Sequence, residues 1–121
     1  MSRSVTTENL LKLIGSCKQY ALSAKVVLRV LSNKDTLGKG SVRDRITPFM
    51  AALDVIILRI PEDPPASMVN ELDRIITTLR TAEQAAVDNS MQSAIYALDL
   101  AGARIKRFAR VVEEYDPPEN S

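Results

Sequence analysis

Four cations, Arg104, Lys106, Arg107 and Arg110, fall within seven positions near the end of the chain, with Ile105, Phe108 and Val112 interleaved at helical spacing. On a helix this places positive charge on one side and an apolar stripe on the other, the pattern with which a basic amphipathic helix meets anionic lipid or phosphate. The leading reading of the same pattern is a solvated face whose cations pair with the acidic third helix. Nucleic acid is a poorer match, because two Phe, three Tyr and no Trp leave little for base stacking, and the net charge is only +1.

The chain contains no histidine. Phosphorelay bundles require one to carry phosphate, and di-iron bundles use Glu-x-x-His pairs on facing helices, so both classes are excluded. Serine and cysteine nucleophiles usually need a neighbouring base, and neither a nucleophile elbow nor a complete phosphate-cradling loop occurs. Gly38, Lys39, Gly40 and Ser41 approximate the end of such a loop, but the upstream glycine is missing. The remaining enzymatic option is a small helical enzyme in which Arg and Lys hold a dianionic substrate and Glu or Gln assists; no residue set is marked out for it. No metal or cofactor is expected.

Cys17 lies on an apolar stripe without a paired base and reads as a small buried hydrophobe. Asp54 is the only acid in a nearly all-apolar segment, so it must face water or meet a cation on the first helix. The charge is unevenly spread: residues 1 to 60 hold ten Lys/Arg and four Asp/Glu, and residues 61 to 121 hold six and eleven. A basic hairpin beside an acidic one accounts for this, and a basic surface for an acidic partner is the functional alternative.

The elements that carry these residues follow from hydrophobic periodicity. In the first segment Leu10, Leu13, Ile14, Cys17, Ala21, Ala24, Val27, Leu28 and Leu31 recur at three and four, which predicts a helix over 7–32 with Thr6 or Thr7 as its cap. Gly15 would admit a close backbone approach, and Val26 and Val30 broaden the apolar face where dense packing is expected. Asn33 to Gly40 supplies turn residues for the longest connection.

The second segment has two candidate starts, a capping box at Ser41 and Asp44 or an N-cap at Thr47 followed by Pro48. If both turns are helical, Pro48 should kink the helix. From Ile46 to Ile60 it is apolar nearly all round, as expected of a helix central in a core or buried against another protein. The β-branched run Val55, Ile56 and Ile57 permits a competing strand over 54–60.

Pro61 to Pro65 stops this helix. A third, over 64–87 and capped by Asp63 or Ser67, carries Val69, Leu72, Ile75, Ile76, Leu79, Ala82 and Ala86, with Glu71, Asp73, Arg74, Arg80 and Glu83 facing water. A fourth, over 90–115, starts near Asn89 or Ser90 and stops before Pro117. Because Val87 to Ser90 has neither Gly nor Pro, the last two could form one rod about 75 Å long, which would imply a dimer or a domain swap. Gly102 between Ala101 and Ala103 would permit a close helix crossing.

These readings combine into one all-α domain over 1–121, an antiparallel up-down-up-down four-helix bundle with a tail at 116–121. The layout resembles the helical-bundle domains that open some cell-death executioner and fungal incompatibility proteins, which implies action on membranes or on partner domains. With a single cysteine and no segment of roughly 18 apolar residues, the expected setting is intracellular and cytoplasmic.

The bundle carries more apolar residues than one stripe per helix requires, chiefly Val26, Val30, Ala52, Val55, Leu58, Leu100 and Val111. The leading expectation is therefore a non-enzymatic protein-interaction module, an adaptor, regulatory or self-associating bundle. Ala52, Val55, Leu58 and Leu100 would form the surface that meets a partner or a second copy. The alternative is a membrane-acting bundle using Arg104, Lys106, Arg107 and Arg110 on anionic lipid.

Overall fold

A computed structural model describes residues 5–31 and 41–115, with side chains from Thr7 onward. They form four helices, α1 (Val5–Leu31), α2 (Ser41–Leu58), α3 (Ala66–Asp88) and α4 (Met91–Glu114), and no strand among the described residues. The segment 54–60 is therefore helical to Leu58, which removes the strand alternative.

Each helix buries one stripe in a common core, with Phe49 and Phe108 its largest fully enclosed side chains. The helices pack in a ring: α3 on α4, α4 on α1, α1 on α2 and α2 on α3. Every neighbouring pair runs antiparallel. Lys25, late in α1, pairs with Asp99, early in α4. Arg107, late in α4, reaches Glu71, early in α3. Val42, at the start of α2, meets Asn89, at the end of α3. The N-terminal part of α1 lies beside Val55 and Arg59 at the end of α2. This is the up-down-up-down order that short connections impose.

Several local expectations are corrected. Helix α1 already includes Thr6 and Thr7, so neither is its cap, and Thr7 is buried. Both turns flanking Thr47 are helical, so α2 starts at Ser41 rather than at Thr47. Thr47 donates its hydroxyl to the Arg43 carbonyl at 2.6 Å, close to where Pro48 removes a helical donor. Helix α3 takes Pro65 as its cap, with Met68 and Val69 amides donating to the Pro65 carbonyl; neither Asp63 nor Ser67 does this. The expected loop from Asn33 to Gly40 and the tail at 116–121 lie outside the described residues.

Helices α3 and α4 are separate. Asn89 adopts the left-handed conformation, φ 51° and ψ 39°, while its amide donates to Ala86 and the Ser90 amide donates to Ala85. That pair of bonds is the helix-ending pattern ordinarily supplied by glycine. Ser90 then caps α4 by accepting from the Ser93 amide at 3.3 Å. The chain reverses without Gly or Pro, because asparagine tolerates this backbone geometry better than other residues with a side chain.

Neither glycine makes a close crossing. A Cβ added at Gly15 or at Gly102 would meet nothing within 4 Å. Val26 and Val30 are exposed rather than densely packed, since they lie on the outer side of α1, away from the Ala21, Ala24 and Leu28 stripe.

Candidate functional site

The side chains that could meet another molecule gather along the outer seam between α1 and α2. Leu13, Ser16 and Tyr20 follow one another at one-turn spacing on α1, and Pro48, Ala51, Ala52 and Val55 face them from α2. Ser16, Ala51 and Ala52 are small, so the helices leave a trough between the bulkier Leu13 and Val55 at one end and Tyr20 and Pro48 at the other. Two adjoining hollows, of about 450 and 410 Å³, share Leu13, Ser16 and Val55 and open to solvent. The first extends past Leu10 to Asn9, Lys12 and Arg59.

The trough therefore runs along α1 from Asn9 to Tyr20, about 16 Å at the helical rise. Its walls are mainly apolar in the middle, and its charge sits at one end. Lys12 and Arg59 are exposed and form no ion pair among the described residues. No acidic residue lines either hollow.

The residues singled out from the sequence separate in space. Ala52 and Val55 line the trough, with Ala52 partly buried and Val55 38% exposed. Leu58 is 82% exposed, one turn beyond Val55 on the same helix. Leu100 is half-buried on α4 and does not join them. Leu13, Ser16, Tyr20 and Pro48 were not marked by the sequence as surface-forming. Their only signal is the one-turn spacing of Leu13, Ser16 and Tyr20 at the edge of the α1 stripe, which gains meaning once α2 lies beside it.

The four cations of α4 do not act as a set. Arg104 is half-buried and donates to the Arg74 carbonyl at 2.9 Å and to the Thr78 hydroxyl at 2.6 Å, both on α3. Arg107 leans toward Glu71 at 3.8 Å. Lys106 and Arg110 are exposed without an ion pair among the described residues. Lys106 instead lines an α1–α4 hollow of about 350 Å³ together with Lys12, Lys18, Glu8 and Glu113, beside Ile14 and Ile105.

Glu71 corrects the expectation that it faces water. Its side chain is 13% exposed in the α3–α4 seam, with Oε1 at 3.5 Å from Arg74 and Oε2 buried without a hydrogen-bond partner. Asp54 does face water. Cys17 is enclosed in the core, and burial pushes its thiol up to about 12 from an ordinary 9.0, as befits an inert hydrophobe.

No family model, curated protein or solved structure matches this chain. Among the described residues no helix is long and apolar enough to cross a membrane, and no group of His, Cys, Asp or Glu is placed to hold a metal ion.

Proposed function

We propose that this protein is a non-enzymatic interaction module that docks another protein on the outer face of α1 and α2. One observation carries the reading. Helix α2 buries Val42, Ile46, Phe49, Leu53 and Ile56 in the core and still leaves Val55 and Leu58 in water beside an apolar trough. A helix satisfied by one core contact has little use for a second apolar face, and exposed apolar surface next to a groove is the usual mark of a helix-binding site.

Lipid binding through α4 is the weaker reading, because Arg104 and Arg107 are engaged with α3 and leave two dispersed cations for headgroups. A small anionic substrate is likewise poorly served. The lysines around the α1–α4 hollow are all exposed, whereas dianion chemistry calls for several basic groups converging in an enclosed site.

Site-specific photo-crosslinking tests the reading. A photoreactive side chain at Leu58, compared with the same group at the exposed Tyr96 on α4, should yield a discrete protein adduct from Leu58 alone. Adducts to lipid, or identical adduct patterns from both positions, would overturn it.

A further inference from the structure

We infer that the occupant of the α1–α2 trough is an amphipathic helix of a partner protein, about three turns long, carrying carboxylates at the end that lies over Lys12 and Arg59. This rests on the reading of the protein as an interaction module and specifies what it binds.

Three features of the trough set the partner's chemistry. Its length, about 16 Å from Asn9 to Tyr20, matches three turns of helix, roughly the span of anchors at i, i+4, i+7 and i+11. Its middle is bounded by Leu13, Tyr20, Pro48 and Val55 around a floor of small residues, so the anchors must be apolar and one edge must approach Ser16, Ala51 and Ala52 closely. Its charge is confined to one end. Lys12 and Arg59 have no ion pair among the described residues, and with no acid lining the trough, a cationic partner meets repulsion while an acidic one is both attracted and fixed in direction.

The test uses a defined probe and the full 121-residue chain. A helix-stapled 14-residue peptide with leucines at the four anchor positions and two glutamates at one end is titrated against isotope-labelled protein. The expected result is saturable shifts at Leu13, Ser16 and Val55 that weaken about tenfold in the Lys12→Glu/Arg59→Glu variant. In that variant a peptide with two lysines in place of the glutamates should recover the binding.

Both substituted residues are exposed, so the variant should fold, and its helical circular dichroism verifies this. Binding in the trough that ignores the charge reversal would overturn the acidic partner while leaving the interaction module intact. No shift with either peptide, together with no protein adduct from Leu58, would overturn both. Saturable binding to phosphatidylserine vesicles that shifts the same residues, or a concentration-dependent dimer that closes the trough, would overturn the partner helix in favour of lipid or self-association.

Discussion

The side-chain oxygen of Asn89 accepts a hydrogen bond from the Val42 backbone amide at 3.2 Å, so the residue that ends α3 also caps the first turn of α2 across 47 positions of sequence. One asparagine thus reverses the chain into α4 with its backbone and satisfies an orphan donor of another helix with its side chain.

The two roles separate by substitution. Asn89→Gly keeps the left-handed backbone and loses the side chain with its capping bond to α2, and should cost under about 1 kcal/mol. Asn89→Ala loses the bond and strains the backbone as well, and should cost about 2 kcal/mol. Urea unfolding of the two variants checks this, and equal losses would contradict it.

Leu53 and Leu58 lie on one helix with opposite fates, fully enclosed and 82% exposed. Leu53→Ala should destabilise by about 3 kcal/mol through lost burial and a cavity. Leu58→Glu should stay within about 0.5 kcal/mol of the native protein. Thermal denaturation distinguishes this from a core role for Leu58, which would make both substitutions severe.

Glu71 leaves a carboxylate oxygen buried without a partner, while its companions Arg74 and Arg107 are mostly exposed and can hydrate if it is removed. Replacing a poorly satisfied buried charge with a hydrophobe of similar volume is often neutral or favourable. Glu71→Met should therefore match the native protein or exceed it by up to about 1 kcal/mol in urea unfolding. A loss beyond about 1 kcal/mol would mean that the ion pairs hold the α3–α4 seam.

The Cys17 thiol gives a pH signature. Its pKa, raised by burial to about 12 from 9.0, means that the unfolded chain releases the thiol proton first as pH rises. The neutral thiol's contribution is intact below pH 9.0 and declines above it, by about 1.4 kcal/mol per pH unit in the limit, until the folded thiol also ionises. The stability difference between the native protein and Cys17→Ala should be constant below pH 9 and shift against the native protein above it. A flat difference to pH 11 would contradict the burial argument.

The four-helix order was legible because the three-and-four spacing of Leu10 to Leu31 and of Ala94 to Val112, together with Pro61 to Pro65, leaves few alternatives. The α3–α4 break was harder to read, since Asn89 performs a turn usually marked by Gly. Glu71 misled because it flanks the α3 stripe, and only α4 lying beside it turns that flank inward. The site was half legible. Val55 and Leu58 stood out as surplus on α2, but the trough needs Leu13, Ser16 and Tyr20 from a helix whose neighbour the periodicity does not name.

The central claim is that the outer face of α1 and α2 holds another protein, and the size of the chain in its native cells tests it most directly. Sedimentation of the tagged chain from a gentle lysate should place it in a discrete species larger than its own 13.3 kDa, and Val55→Glu/Leu58→Glu should release it at the monomer position with its helical content unchanged. Sedimentation at the same position for both, whether free or complexed, would contradict the account.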